Sequence, residues 1–368
     1  MTNTTSIQRI RIGTRQSALA LAQTELVAQA LQKAAPGIEI EIVKKQTAGD
    51  KNLTSALADF GGKGAFVSEF EEALLRGDID IAVHSAKDLP VAIADGLEIA
   101  CTLPREDARD VLVWRNEAAR TVAEHGTAFP VIGTSSPRRT LQIKALFPDC
   151  TCTLLRGNVP TRLKKLSSDE YDAIILAAAG LKRLGLWNGE TETLAAPAAD
   201  SIPADSASAG NAGAENSRTA TAEKLVIQPL TFEQMLPAGG QGIIAVECRA
   251  SATCLPAGRI PDDSALRALL ASVCDRASFA SFTVERYLLT RLGTGCHEPT
   301  AVFSQIDGGS MTITLSEERD GKPVRKSVTG DITAPAGSSG HGDACSGSAY
   351  DEARLFALAD SLLEKAYE

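Results

Sequence analysis

Asp88, in the segment AVHSAKDLP, is the first residue whose type and position suggest chemistry. It follows a predicted strand that ends near His84, and Lys87 immediately precedes it. A carboxylate held among cations can stabilise a developing positive charge or transfer a proton. The same position also suits a turn aspartate that accepts backbone N–H groups, so both interpretations stay open.

Basic residues at strand and helix ends form a second candidate group. Arg138 and Arg139 open a predicted helix in GTSSPRR, Arg156 ends a predicted strand in LRGN, and Arg162 opens the next helix. Ligands of open α/β sheets bind outside the carboxyl ends of strands, where helix N-termini favour anions. Arginine adds a planar pair of N–H donors that fits a carboxylate or a phosphate. The pattern predicts an anion site, although a solvated basic surface is the simpler alternative.

The local charge supports that site. Residues 131–185 hold nine Lys or Arg and four Asp or Glu, a net charge of +5, in a chain whose net charge is −9. Arg11 and Arg15, in RIRIGTRQS, offer a similar pair near the start of the chain. A single basic cleft in an acidic protein points to a small anionic ligand.

Two loops complete the set of candidates. Cys296 lies in GTGCHEP between Gly295 and His297. The glycine permits close approach by a bulky group, and the imidazole can assist thiolate formation. An ordinary loop cysteine without a chemical role is the alternative. GGKGAF (61–66) is glycine-rich but lacks the spacing and ending of a phosphate-binding loop. We expect it to be a mobile segment, with Lys63 and Phe66 as candidate contacts.

The elements that must position these residues alternate along the first 185 residues. Short β-branched runs are followed by helical patterns, which is typical of parallel α/β units. We predict an α/β fold of two doubly wound lobes with a cleft between them, as in periplasmic binding proteins, plus a smaller C-terminal α+β domain. The predicted boundaries are 1–104 with 243–272 for lobe 1, 105–240 for lobe 2, and 275–368 for the C-terminal domain. Residues 190–224, with 11 alanines and no aromatic residue, predict a disordered insert in lobe 2.

Composition excludes several classes of protein. The chain has 368 residues, of which 44% are hydrophobic and 23% charged, as in ordinary globular proteins. No apolar run approaches the roughly 18 residues of a membrane span, and the N-terminus lacks the apolar core of a secretory signal. A cytoplasmic protein with reduced thiols is therefore expected. Its eight cysteines include no CxxC pair, so no metal site is predicted. Net charge −9 and 4% aromatic residues argue against a nucleic-acid partner.

Taken in order, the segments resemble the porphobilinogen deaminase (hydroxymethylbilane synthase) family. The resemblance rests on RIGTRQSALALAQ, GGKGAFVSEFEEALL, HSAKDLP, GTSSPRR, LRGNVPTR, LPAGGQG and RLGTGCHEP, and it covers residues 9–187 and 235–303. It implies a transferase that condenses four porphobilinogen molecules head to tail, releasing ammonia and linear hydroxymethylbilane. The chain would grow on a covalent dipyrromethane cofactor.

The resemblance also implies roles for individual residues. Asp88 would be the catalytic carboxylate, stabilising cationic pyrrole intermediates as an anion shielded from water. Cys296 would carry the cofactor through a thioether, Lys63 and Phe66 would lie on the active-site loop, and Gln241 would lie on an interdomain segment. The family's substrate and cofactor contacts, with Arg15 added from the strand-end argument, fall on Arg11, Arg15, Ser17, Lys87, Ser135, Arg138, Arg139, Arg156, Arg162 and Arg183.

Further expectations concern partners and competing functions. The resemblance implies a monomer that takes porphobilinogen as its substrate and passes hydroxymethylbilane to the next pathway enzyme, with no nucleic-acid or membrane partner. A non-enzymatic two-lobed binder of a carboxylated ligand is the main alternative, because fold alone does not fix function. A nucleic-acid-binding regulator using residues 131–185 is a third. Asp88 and Cys296 favour the enzyme over both.

Overall fold

Three β-sheets organise the part of the chain that the computed structural model describes, which comprises residues 7–45, 67–126, 129–167, 170–194, 224–251, 263–294, 298–334 and 350–367. Two of these sheets have five strands and one has three. The predicted α/β class, with two lobes and a smaller C-terminal α+β domain, is confirmed.

Lobe 1 is built on the sheet β2-β1-β3-β10-β4. Its elements are β1 (Arg9–Arg15), α1 (Ala18–Ala34), β2 (Glu39–Lys45), α2 (Ser68–Arg76), β3 (Ile81–Ser85) and β4 (Leu97–Thr102), with β10 (Ile244–Arg249) returning later in the chain. Ile10 and Ile12 of β1 point to one face of the sheet and are buried against Val27 and Leu31 of α1. β1 pairs with β3 in parallel, so the carboxyl ends of these two strands lie at the same sheet edge.

Lobe 2 is built on the sheet β7-β6-β8-β5-β9. Its elements are β5 (Asp110–Trp114), α3 (Glu117–Glu124), β6 (Val131–Gly133), α4 (Pro137–Leu146), β7 (Thr151–Thr153), α5 (Val159–Leu166), β8 (Ala173–Ala177), α6 (Ala178–Arg183) and β9 (Val226–Pro229). Ser136 and Asn158 cap the N-termini of α4 and α5 with their side-chain oxygens, and a proline follows in the first turn of each helix. These caps fix the first turns of α4 and α5, and thereby the positions of Arg138, Arg139 and Arg162.

Neither lobe has the purely parallel sheet that the alternation of strands and helices implied. β10 runs antiparallel to β3 and β4, and β5 runs antiparallel to β8 and β9. Each of these strands enters its lobe directly from the other lobe, β5 after residues 103–109 and β10 after residues 230–243. A strand that enters a lobe from the cleft side must run away from the cleft. It is therefore antiparallel to the neighbouring strands that run toward the cleft.

The C-terminal sheet is an antiparallel meander of β11 (Ala301–Asp307), β12 (Ser310–Arg319) and β13 (Lys322–Asp331). Its apolar face is covered by α8 (Arg276–Leu292) and α9 (Glu352–Tyr367), which contribute Val284, Leu288, Leu355 and Leu362 to one buried cluster. The preceding helix α7 (Ser264–Val273) instead packs Leu270 into the lobe 1 core. The chain therefore leaves lobe 1 between α7 and α8.

Residues 190–194, which the sequence assigned to a disordered insert, carry regular contacts. Thr193 forms a β-bridge with Val226, and the Leu194 amide donates to the Leu225 carbonyl at 3.4 Å. The expected insert therefore starts too early, because these residues extend the edge of the lobe 2 sheet beside β9. Residues 195–223 lie outside the described part of the chain. Among the helices that are described, none has the length and apolar character needed to cross a membrane.

Candidate functional site

The site is centred on the turn that follows β3. β3 ends at Ser85, and Ala86–Asp88 form one turn of 3₁₀ helix. The Ser85 hydroxyl lies 2.9 Å from Nε2 and 3.1 Å from Oε1 of Gln23, so α1 holds the start of this turn. Asp88 is exposed. The expectation of a carboxylate shielded from water is therefore wrong for this structure, because the turn projects Asp88 outward from the sheet edge.

Two glycines let the segment Gly240–Gly242 approach this turn closely. Both have positive φ angles, 74° at Gly240 and 87° at Gly242. A Cβ at Gly240 would lie 3.1 Å from the Lys87 amide nitrogen, and one at Gly242 would lie 2.3 Å from the Glu106 carbonyl oxygen. Neither position has room for a side chain, so the segment can pass between the Asp88 turn and the other inter-lobe connection.

Gln241, between these glycines, joins a buried cluster of charge in lobe 2. Its Nε2 donates to the Ala108 carbonyl at 2.7 Å and to Asp110 Oδ1 at 3.1 Å. Arg139 Nη2 lies 2.6 Å from Asp110 Oδ1, and Arg138 Nη1 lies 2.8 Å from Asp110 Oδ2. Burial alone would raise the pKa of Asp110, but the two guanidinium groups hold that pKa well below its usual range. Both arginines, expected as ligand contacts, are thus also structural partners of a buried carboxylate.

Lys87 lies in the electrostatic field of that cluster. Its side chain is only partly exposed at the cleft, and burial lowers the pKa of its ammonium to about 8. Asp88 and Asp110 oppose this shift, whereas Arg139 and Arg138 add to it. The Asp88 turn of lobe 1 therefore faces the Asp110 cluster of lobe 2.

Arg162 connects the remaining basic motif to Asp88. Burial, with smaller contributions from Arg139 and Arg156, lowers the pKa of Arg162 to about 10, and Asp88 opposes this shift. Arg162 Nε donates to the Gly157 carbonyl at 2.7 Å, which fixes the stem of the side chain at the start of α5. Charged residues from three separate motifs, HSAKDLP, GTSSPRR and LRGNVPTR, therefore lie close enough at the cleft to influence one another electrostatically.

Arg183 lies on a second inter-lobe contact. Its Nη2 donates to the Gly242 carbonyl at 2.6 Å, and burial lowers its pKa to about 10 with Glu106 opposing. The neighbouring Lys182 forms an ion pair with Glu106. Two neighbouring residues of α6 therefore contact both segments that connect the lobes.

The N-terminal candidates divide into two groups. Arg15 ends β1, and the Ser17 hydroxyl caps α1 by accepting the Ala20 amide at 3.3 Å. Arg11 is instead level with the start of β3, where its Nε and Nη2 donate to Asp80 at 3.1 and 2.7 Å. The Arg11 guanidinium is committed to Asp80 at the opposite end of the strand from Arg15, and its expected contact with the ligand stays a prediction. Ser135 is partly buried between β6 and the cap of α4.

Glu285, a residue that the sequence did not single out, joins the lobes to the C-terminal domain. Its carboxylate is fully buried and accepts from Arg105 Nη1 at 2.7 Å and from the Gly240 amide at 2.6 Å. It also accepts from the backbone and hydroxyl of Ser304, each at 2.8 Å. Arg105 and Gly240 belong to the two inter-lobe connections, so one carboxylate on α8 fixes both of them.

A second buried pair lies behind the Asp88 turn. His84 Nε2 and Glu247 Oε2 are 2.9 Å apart, and both side chains are buried. Glu247 and Glu285 are each a single acid inside a largely apolar segment, and Asp110 stands directly before the apolar run VLVW; the sequence marks these three acids in no other way. Such acids are commonly solvent-facing, so the signal does not identify their partners.

Three predicted residues, Lys63, Phe66 and Cys296, lie outside the described residues. The described chain reaches Thr294, which is buried just after the end of α8. Within the described ranges no cluster of three or more His, Cys, Asp or Glu side chains could hold a metal ion.

The described cleft fits a group that carries several carboxylates. Lys87, Arg138, Arg139 and Arg162 outnumber Asp88 and Asp110, so this cluster has an excess of positive charge. Arg138 is buried and Lys87 and Arg162 are partly buried, so their charges are poorly solvated, and this burial lowers the pKa of all three. A polycarboxylated ligand would supply the missing negative charge.

Some solved structures align with much of the chain at low similarity. The effector-binding domain of BenM with benzoate covers 78% of this chain and 95% of its own, at 13% identity and a TM-score of 0.37. The periplasmic aliphatic sulphonate-binding protein SsuA from Escherichia coli covers 78% and 71%, at 17% identity and a TM-score of 0.34. Similarity at this level carries no argument about the site.

Sequence relatives are much closer. The porphobilinogen deaminase of Geobacter sulfurreducens is 38% identical over 89% of this chain and 88% of its own length. That of Roseiflexus castenholzii is 39% identical over 89% and 92%. A family model described as "Porphobilinogen deaminase, dipyromethane cofactor binding domain" matches residues 10–256, more than half of the chain. This match and these identities, over a cleft with excess cationic charge beside Asp88, show that the chain belongs to the porphobilinogen deaminase family.

Proposed function

We propose that this protein condenses four porphobilinogen molecules head to tail and releases ammonia and linear hydroxymethylbilane. The observation that carries the proposal is the position of Asp88, which follows Lys87 in the turn after β3 and lies within electrostatic range of Arg162 across the cleft. An anionic group surrounded by cations from both lobes suits a substrate that carries carboxylates and reacts through a cation. A binding protein would need the cations but has no use for Asp88.

The cationic residues would bind the substrate's side chains. Each porphobilinogen carries an acetate and a propionate, so a growing chain gains two carboxylates with every unit. Lys87, Arg156, Arg162 and Arg183 stand at strand or helix ends around the cleft, with Arg15, Ser17 and Ser135 at neighbouring ends. Arg138 and Arg139 would serve a double role, holding Asp110 and directing positive charge toward the ligand.

Asp88 would act on the reacting carbon. As ammonia leaves the aminomethyl group of porphobilinogen, positive charge develops on the substrate pyrrole. A carboxylate fixed beside it stabilises that charge more in the transition state than in the ground state. Binding of the substrate would also remove water from the exposed Asp88, which strengthens the interaction.

Cys296 is the proposed anchor for the dipyrromethane cofactor. When bound, this group supplies the free pyrrole carbon to which the first substrate is added. Support comes from the GTGCHEP motif and from α8, whose C-terminus precedes the cysteine by four residues and whose Glu285 is bonded to both inter-lobe connections. Lys63 and Phe66 are proposed contacts of the active-site loop, and Gln241 is proposed as an interdomain contact.

The domain boundaries stay a proposal: 1–104 with 243–272 for lobe 1, 105–240 for lobe 2 with its insert, and 275–368 for the C-terminal domain. So do a monomeric state, a cytoplasmic location, and transfer of hydroxymethylbilane to the next enzyme of tetrapyrrole biosynthesis. Conversion of the product by that enzyme would follow because hydroxymethylbilane is an open-chain precursor that still needs ring closure.

The experiment is to incubate the purified protein with porphobilinogen and to follow ammonia and product together. We expect four ammonia molecules for each linear tetrapyrrole released. Saturable binding of porphobilinogen without ammonia release would identify a binding protein and refute the proposed reaction.

A further inference from the structure

Two cysteines that the proposed reaction does not use lie side by side at the edge of the lobe 2 sheet. Cys150 immediately precedes β7 and Cys152 is its central residue, and their sulfur atoms are 3.9 Å apart. Alternate residues of an extended segment project to the same side, which explains the approach.

The two thiols have different surroundings. Cys150 is buried, with 6% of its surface exposed, whereas Cys152 is partly exposed. The two sulfur atoms share a hydrogen bond in which either thiol can be the donor, and this contact lowers the pKa of Cys152 to about 7. Burial opposes that shift, while Lys144 and the Thr140 hydroxyl on α4 add to it. The same hydrogen bond, together with burial and the nearby Asp149, raises the pKa of Cys150.

This asymmetry is that of an attacking and a resolving thiol. A thiol attacks a disulfide fastest when its pKa is near the ambient pH and its sulfur can be reached. Cys152 meets both conditions. Cys150 is shielded from external reagents, but its sulfur is positioned beside the one sulfur that it would need to attack.

We propose that Cys150 and Cys152 form a redox-active dithiol that reacts with small-molecule disulfides such as oxidised glutathione. The Cys152 thiolate attacks one sulfur of the external disulfide, whose S–S bond breaks and releases one thiol after it takes up a proton. Cys150 then gives up its proton and attacks Cys152, displacing the second thiol. The two protein thiols are oxidised by two electrons, and one external disulfide is reduced to two thiols.

The backbone permits this bridge near the limit of its range. Residues two apart in an extended segment have Cα atoms about 6.6 Å apart, and disulfides span about 4.4 to 6.8 Å. β7 is an edge strand that pairs with β6 alone within its sheet, so a small adjustment disturbs one ladder. A bridge closed near this limit is readily reduced, as expected for a reversible site.

The dithiol also touches the helix that carries the buried arginines. Thr140, which contacts Cys152, follows Arg139 directly on α4. The pair nevertheless stands apart from the proposed reaction, so its chemistry can be tested without porphobilinogen.

The test uses the full chain, reduced, freed of reductant and equilibrated with oxidised glutathione at pH 7.5. Free thiols are then alkylated, and the tryptic peptide 145–156, which contains both cysteines and no other, is weighed. We expect this peptide to lose two hydrogens, to escape alkylation, and to regain both thiols with dithiothreitol. The peptide 225–249, which contains the buried Cys248 and no other cysteine, serves as the internal control and should stay alkylatable.

Two variants test the assigned order of attack. Cys150→Ser should accumulate glutathione on Cys152, because the resolving thiol is absent, whereas Cys152→Ser should leave Cys150 reduced. The proposal is overturned if the wild-type peptide stays fully reduced, or if it carries only glutathione without an internal bridge. Faster capture of Cys150 in Cys152→Ser than of Cys152 in Cys150→Ser would overturn it as well. The wild-type measurement decides the matter even if a variant fails to fold.

Discussion

Asp110 Oδ1 lies 2.6 Å from Nη2 of Arg139, and both side chains are almost completely removed from solvent. Arg139 Nη1 also donates to the Ile175 carbonyl at 2.9 Å. A guanidinium so fully engaged is fixed in direction, which is what a site needs if it must present charge to a ligand without first reorganising. The pair therefore connects the stability of lobe 2 with the electrostatics of the cleft.

Asp110→Asn should destabilise the protein by about 3–5 kcal/mol, because it leaves two buried guanidinium groups without their anion. Urea unfolding at pH 7 measures this loss. Asp149→Asn, an exposed aspartate after α4, is the matched control and should change stability by less than about 0.5 kcal/mol.

The pH dependence of stability gives a second check on Asp110. The folded-state pKa of Asp110 lies below its ordinary value of 3.8, so its contribution is present above that value and is lost as the pH falls below it. Equal acid sensitivity in wild type and Asp110→Asn would contradict the assignment.

Lys87 should make substrate binding depend on pH in the mildly alkaline range. Below a pKa of about 8 its ammonium is charged and attracts a carboxylate, and above that pH the charge is lost. A charge-assisted hydrogen bond contributes about 1.5–3 kcal/mol, so KM for porphobilinogen should rise about tenfold or more between pH 7 and pH 9.5. Lys87→Arg should remove most of this rise because arginine stays charged. Identical KM profiles for the two proteins would exclude Lys87 from the binding site.

Asp88→Asn should retain substrate binding and lose turnover. The carboxylate is expected to stabilise charge that develops only during the reaction, so kcat should fall by about 10²- to 10⁴-fold while KM changes little. The comparison is Asp95→Asn, an exposed aspartate in the loop after the Asp88 turn, which should behave as wild type. A kcat within threefold of wild type, or a loss confined to KM, would remove Asp88 from its catalytic role.

Glu285→Ala should loosen the junction of the three domains. The substitution leaves Arg105 with an unpaired buried charge, and a loss of about 3–5 kcal/mol in unfolding free energy is expected. Glu364→Ala on the exposed side of α9 controls for removal of a helical glutamate. If Arg105→Ala and Glu285→Ala destabilise independently, with additive effects in the double variant, the pair does not act as one unit.

Several candidate site residues could be grouped from the sequence alone, for a geometric reason. Asp88, Arg156 and Arg162 follow strands or open helices, and in such sheets these positions converge at one edge. Arg11 shows the limit of that reasoning. It lies on the same strand as Arg15, but only the carboxyl end of the strand reaches the cleft, and Asp80 neutralises Arg11 at the other end. The alternation of strands and helices also could not reveal that β5 and β10 run antiparallel, because their direction depends on the path between lobes.

Asp110 and Glu285 could not be assigned from sequence because their partners come from distant segments. Gly240 and Glu285 are 45 residues apart, and Arg105 and Glu285 are 180 apart. Each acid lies in an otherwise ordinary strand or helix, where an exposed carboxylate is the usual outcome. Only the packing of the connections against α8 and α4 shows that these acids are buried and why.

The central claim is that this cleft builds a tetrapyrrole on a group held by Cys296. The most direct measurement is the intact mass of the purified protein before and after incubation with porphobilinogen, compared with Cys296→Ser. The wild type should exceed its polypeptide mass by one covalent dipyrromethane and should gain further pyrrole units with substrate, while Cys296→Ser should remain at the bare mass. A wild-type protein that stays at its polypeptide mass after incubation would contradict the account.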